Sequence, residues 1–144
     1  MGALIAHNVA IKAKVVEADP FERGARAHLN FGHTFGHAIE AVSHFDYSHG
    51  ESVALGMTAA ATLAEELGMI DAAALGRMTH LIDAAGLPTG GMKLDADAIV
   101  EAMGFDKKVE SGKLRLILPT KIGAATIRDD VPIESIRAAV ESLR

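Results

Sequence analysis

The 144 residues predict a mostly α-helical domain of about six helices with one small β-hairpin. Three observations carry that prediction. Alanine, the strongest helix former, occurs 26 times, whereas aromatic residues make up only 4 % and tryptophan is missing. Apolar residues recur at helical spacing between clear Gly, Pro and Asp punctuation. In one short stretch that spacing gives way to the period-two alternation of a strand. With 49 % apolar and 23 % charged residues, the chain has the balance of one foldable domain spanning 1–144.

The first helix is expected from Ala3 to Ala18, carrying Leu4, Ile5, Val9, Ile11, Val15 and Val16, and stopped by Asp19-Pro20. Residues 19–29 read as a polar loop. A second helix starts near Asn30 or Gly32 and runs to about Ser43. A third occupies Glu51 to Leu67, with Gly68 as the residue that ends it. Asp71 caps a fourth, which runs to Ala85 before Gly86 and Pro88, and Asp95 caps a short fifth through Met103. Leu114, Leu116 and Leu118 alternate with Arg115 and Ile117, and a turn over Pro119–Gly123 leads into Ala124–Arg128, which reads as a hairpin. Pro132 opens the last helix, Ile133 to Leu143, from its first position.

Charge and composition exclude several functions. Fourteen Lys and Arg against 19 Asp and Glu give a net charge of −5, with no basic stripe for nucleic acid or an anionic membrane. The absence of cysteine removes disulfides, thiolate metal sites and a cysteine nucleophile. The start of the chain lacks the pattern of a signal peptide, and the weakly polar run Val53–Ala64 is too short to span a bilayer, so cytoplasm is the expected location. No GxxxxGK or GxGxxG nucleotide loop and no GxSxG nucleophile elbow occurs.

Histidine supplies the first positive signal. Four of the seven, His33, His37, His44 and His49, fall within 17 residues, where an even spread puts roughly one. His33 and His37 are four apart, on one face of a helix, an arrangement that can offer two imidazoles to one metal. Thr34 stands where a zinc protease of the HExxH type has its glutamate, so that activity is excluded. Helix capping or core packing is the plainer alternative for any single histidine, but Gly32, Gly36 and Gly50 thin the helix surface beside the cluster and favour a site. On spacing alone, Lys12, the Glu22–Arg26 pair and the Asp106-Lys107-Lys108 turn read as solvated surface charge. Next to a metal, those cations would suit an anionic, oxygen-rich ligand such as a phosphorylated or carboxylated sugar.

The strings IKAKVVEAD, ERGARAHLNFGHTFGHAIEA, HGESVALGM, AGLP and FDKKVESGKLRLILPTKIG, in this order, resemble the C-terminal domain of 3-dehydroquinate synthases over roughly residues 3–140. The resemblance implies an NAD- and metal-dependent enzyme of the shikimate pathway. It forms 3-dehydroquinate and phosphate from 3-deoxy-arabino-heptulosonate 7-phosphate, with Zn²⁺ or Co²⁺ holding substrate hydroxyls. By motif, His33 and His49 match the metal-binding histidines, and His37 and Glu22 match residues assigned to proton transfer. Lys12, Arg26, Asn30 and Lys107 match residues that hold the substrate. His37 then serves the chemistry and is not half of an i, i+4 chelate.

The family's third metal ligand is a glutamate on an AEVIK-like helix upstream, and its NAD-binding domain lies upstream as well; neither is in these 144 residues. The expectation is therefore a C-terminal half that partners its own N-terminal NAD-binding domain, is inactive by itself, and forms a homodimer when full length. Two alternatives remain: another NAD- and metal-dependent sugar-phosphate cyclase making an inosose or a valiolone, or an autonomous, non-catalytic helical metal-binding module.

Overall fold

The computed structural model describes residues 2–21, 24–105 and 114–144. These hold six α-helices and one antiparallel two-stranded sheet, as predicted. They fall into two compact units, Met1–Asn30 and Phe31–Arg144.

The first unit is α1 (Gly2–Ala18) followed by a short 3₁₀ helix, Ala25–Asn30. That turn replaces the last part of the loop expected over 19–29, and its cause is Asp19. The carboxylate Oδ2 accepts from the main-chain N–H of Gly24 (2.7 Å) and of Arg26 (3.1 Å), gathering donors that a short helix start leaves unpaired. Arg26 closes the turn from its other end by donating from Nη1 to the Pro20 carbonyl at 3.0 Å.

The second unit is built around α3 (His49–Glu66), which packs against α2 (His33–Val42), α4 (Ala72–Ala84), β1 (Leu116–Lys121) and α6 (Ile133–Glu141). Ten of its 18 residues are buried, six of them alanine or glycine, so neighbours can close on it from several sides. Phe35 and Ile39 of α2, Leu55 and Leu63 of α3, Ile99 and Met103 of α5 (Ala96–Phe105), Leu116 and Leu118 of β1, and Ile136 and Val140 of α6 form one core. β1 pairs with β2 (Ala124–Arg128), and an ion pair between Arg137 and Asp97 links α6 to α5.

Caps decide most boundaries. Asp71 accepts from Ala74 N–H (2.7 Å) and Asp95 from Ala98 N–H (2.9 Å), as expected of N-caps. Gly68 and Gly86 take the left-handed conformation that ends α3 and α4. Other boundaries differ from the expectation. α3 begins at His49, two residues early, because Ser48 and Glu51 form a reciprocal capping box. α5 runs on to Phe105, and α6 stops at Glu141 with Pro132 as its N-cap, ψ 140°, outside the first turn. Pro119 and Lys121 belong to β1, where the register shifts between them, and the turn shrinks to Ile122-Gly123. A strand tolerates Pro at such an irregularity, where no ladder donor is required.

The α2–α3 contact is the tightest in the unit. A Cβ added to Gly56 would stand 2.1 Å from Gly32 O and 2.7 Å from Gly36 N; one on Gly36 would meet Val53 Cα at 3.0 Å and Ser52 O at 3.1 Å. Gly32 lies at φ 80°, against Met57, and turns the chain into α2. Ser52 is wholly buried in the same contact, and its hydroxyl is the buried side-chain polar atom without a hydrogen-bond partner among the described residues.

Two substitutions read this contact in opposite directions. Gly56→Ala forces backbone against backbone and is expected to cost about 3 kcal/mol in urea denaturation, the upper end for overpacking. Ser52→Ala keeps the volume small and removes an unpaired hydroxyl, for an expected gain of about 1 kcal/mol. A third prediction concerns the capping box. Ser48 donates to Glu51 Oε2 from its hydroxyl (2.6 Å) and its main chain (2.8 Å). Those bonds, the hydroxyl's first, hold the Glu51 carboxyl below its ordinary value of 4.5. A lowered folded-state value stabilises above that pH and is lost as the pH falls through it. Glu51→Gln keeps an acceptor without the charge, so its denaturation midpoint should differ from wild type at neutral pH and converge with it on acidification. A gap that stays constant down the acid limb contradicts this.

Candidate metal and substrate site

The histidines meet where α2 and α3 cross. α2 presents His33 in its first turn and His37 one turn later, while Phe35 and Ile39 turn into the core. The end of α2 then reverses the chain sharply. His44 N–H donates to Ala41 O and Phe45 N–H to Glu40 O, closing a Schellman turn. His44 (φ 52°) and Phe45 (φ 66°) hold the left-handed conformation that glycine usually supplies there, at a cost of roughly 1–2 kcal/mol each. Four residues later the Ser48–Glu51 box starts α3, with His49 as its first residue.

This reversal brings three imidazoles together. Ring centres lie 5.5 Å apart for His33–His37, 5.6 Å for His33–His49 and 5.9 Å for His37–His49. His33 Nδ1 lies 3.3 Å from the Phe31 carbonyl, and His49 Nδ1 lies 3.2 Å from Glu40 Oε2. An acceptor at Nδ1 places the proton there and the ligating lone pair on Nε2.

These residues fit a shared divalent ion in part. Two imidazoles on one tetrahedral ion, at nitrogen–metal distances of about 2.0–2.1 Å, stand roughly 5 Å apart centre to centre, a little under all three separations, so distance alone does not choose the ligating pair. Neutral nitrogen donors suit zinc or cobalt. Among the described residues, however, no three His, Asp or Glu side chains converge to hold a metal, so the cluster is not by itself a closed chelate.

The other expected site residues are distributed as follows. Lys12 is exposed on α1, and Arg26 and Asn30 lie on the 3₁₀ helix, all three in the first unit. Glu22 and Lys107 lie outside the described residues. The flanks of the Lys107 segment are described: α5 packs on α2, and Arg115, just before β1, accepts at its carbonyl from Thr34 Oγ1 (3.5 Å), next to His33. A cleft of about 650 Å³, lined by Met69, Asp71, Arg77 and Lys121 among others, lies past the far end of α3. At about 1.5 Å per residue the helix puts it roughly 27 Å from His49, so this cleft lies away from the histidines.

Glu40, Asp19 and the Ser48–Glu51 box are the participants that sequence reading missed. Glu40 was within reach of it: it follows His37 by three residues and His33 by seven, which places all three on one helix face.

The chain matches the family described as 3-dehydroquinate synthase C-terminal over residues 1–109. It is 43 % identical over 143 residues to the 3-dehydroquinate synthase of Nostoc punctiforme, covering 98 % of this chain and 39 % of that one. With the 3-dehydroquinate synthase of Dehalococcoides mccartyi the identity is 41 % over 144 residues, covering 100 % and 40 %. Among solved structures it resembles 2-deoxy-scyllo-inosose synthase complexed with carbaglucose-6-phosphate, NAD+ and Co2+ (TM-score 0.83, 25 % identity, 96 % of this chain and 40 % of that one). It also resembles the 2-epi-5-epi-valiolone synthase of Streptomyces hygroscopicus with NAD+ and Zn2+ bound (TM-score 0.76, 26 % identity, 90 % and 36 %). The chain thus spans about two fifths of the length of these relatives. Family match and fold agree: the chain belongs to the 3-dehydroquinate synthase C-terminal family.

Proposed function

We propose that this chain is the metal- and substrate-binding part of a 3-dehydroquinate synthase, acting on 3-deoxy-arabino-heptulosonate 7-phosphate. The observation that carries the reading is the meeting of His33, His37 and His49, with the two expected ligands each set toward an acceptor at Nδ1. His33 and His49 would hold Zn²⁺ or Co²⁺ through Nε2. Bound there, the metal would supply a Lewis acid for substrate hydroxyls, and NAD, held outside these 144 residues, would supply the redox chemistry.

The chain's own groups then divide the remaining work. His37, beside both ligands but not one of them, exchanges a proton with the substrate, and Glu22 is the second proton acceptor. Lys12, Arg26, Asn30 and Lys107 hold the carboxylate, phosphate and hydroxyls. Arg26 suits a bidentate oxyanion contact, because its main chain is fixed by Asp19.

The solved neighbours are other cyclases, yet identity is 41–43 % to 3-dehydroquinate synthases against 25–26 % to those cyclases, which favours the first substrate. Among the described residues no helix is long and apolar enough to cross a membrane. A cytoplasmic location and a homodimer of the complete enzyme belong to the same reading.

Calorimetry on the purified chain tests it. His33→Ala and His49→Ala should each weaken zinc binding on the order of 100-fold, at least the upper end seen for groups that only support a ligand. The zinc-loaded chain should prefer the heptulosonate phosphate to carbaglucose-6-phosphate, a preference that Arg26→Ala removes. Unchanged zinc affinity in both histidine variants overturns the metal assignment, and a preference for carbaglucose-6-phosphate favours an inosose-forming enzyme instead.

A further inference from the structure

We infer that Glu40 is a positioning residue for the metal ligand His49: its carboxylate fixes the Nδ1–H tautomer and the ring orientation that aim Nε2 at the ion. The inference rests on the reading of His49 as a ligand and adds a residue which that reading leaves out.

The register of α2 against α3 leads to it. Gly32 meets Gly56 and Met57, and Gly36 meets Ser52 and Val53. Each step of four along α2 moves about four back along α3, as antiparallel helices require, and the next rung pairs Glu40 with His49. There the small residues end, and a carboxylate faces an imidazole at 3.2 Å.

Glu40 is itself well held. Its main-chain carbonyl accepts from Phe45 N–H (3.0 Å) and from the Ser43 hydroxyl (3.0 Å), so the last turn of α2 cannot fray without breaking both bonds. The exposures differ in the direction the role needs. The Glu40 side chain is 20 % exposed, whereas that of His49 is 57 % exposed. An imidazole more than half open to water, with the His33 and His37 rings against it, is held at Nδ1 by the carboxylate rather than by a surrounding core. At His33 a main-chain acceptor, the Phe31 carbonyl, lies 3.3 Å from Nδ1. The carboxylate at His49, unlike a main-chain acceptor, is a partner that substitution can remove.

The test combines histidine tautomer NMR on the metal-free chain with zinc calorimetry and thermal unfolding. Wild type should show His49 protonated at Nδ1. Glu40→Ala should move that proton to Nε2 and lower zinc affinity about 10- to 100-fold, with the unfolding temperature little changed. Glu40→Gln, whose amide oxygen still accepts from Nδ1–H, should keep the tautomer and most of the affinity. Glu40→Asp, one methylene short of the ring, should behave like alanine, and it serves if the alanine variant does not fold. The inference is overturned if His49→Ala weakens zinc binding as expected of a ligand while Glu40→Ala and Glu40→Asp leave tautomer and affinity as they were. It is also overturned if Glu40→Gln loses zinc with its tautomer intact, for Glu40 would then bind the metal directly. Zinc affinity left unchanged by His49→Ala instead rejects the metal assignment on which the inference stands.

Discussion

The second unit depends on the backbone-to-backbone approach of α2 and α3 at Gly32, Gly36 and Gly56. A methyl at Gly56 would overlap Gly32 O at 2.1 Å, so the helices sit closer than any side chain at that position permits. Close packing of two helices is only loosely specific along their axes unless something fixes the register. Here three glycines on two helices do so, because sliding by one residue would drive a side chain into backbone. The histidines inherit that register. His33 and His37 each directly follow a glycine of the contact, and His49 begins the helix that the contact aligns. The positions of their main chains are thus set by van der Waals exclusion between the two helices.

The same closeness explains an apparent fault. Ser52 buries a hydroxyl without a partner among the described residues, a defect worth on the order of 1 kcal/mol. Its neighbour across the contact is Gly36, and there volume matters more than polarity. The left-handed pair His44-Phe45 is a second local cost, met where α2 has to end abruptly for α3 to return along it. Both costs sit within a few residues of the histidine cluster and are offset by the core that Phe35, Ile39, Leu55 and Leu63 build beneath it.

Local signals were legible in the sequence. Asp71, Asp95, Gly68 and Gly86 mark helix ends through bonds to residues at most five positions away, and the structure keeps all four roles. The errors share a cause. The 3₁₀ helix at Ala25–Asn30 depends on Asp19 reaching forward seven residues to the N–H of Arg26. The early start of α3 depends on Ser48 pairing with Glu51, a capping-box spacing that stands in the sequence but lies in a stretch otherwise reading as polar loop. Pro119 stays in its strand because the ladder is irregular at that point, which spacing cannot reveal. The histidine cluster was legible as a local density of one residue type, and the family likeness gave its members roles. The Glu40–His49 contact was not, since it follows from a register between two helices and no single segment encodes that register.

Placing the two expected ligands on different helices makes metal binding and helix packing parts of one equilibrium. An ion that binds only when α2 and α3 are docked stabilises the docked state by an amount that grows with the logarithm of metal concentration over its dissociation constant. The reverse also holds: each feature that keeps the register without metal lowers the cost of ordering the site when the ion arrives. Glycines that hold the backbones together, a capping box that starts α3 at His49, and a carboxylate that stops the ring from turning all act before binding. On the proposed reading, the site would be prepared by elements that do not themselves bind the ion. A substitution at Gly56, far from any ligating atom, should therefore reach the metal through geometry as surely as one at Glu40 reaches it through a hydrogen bond.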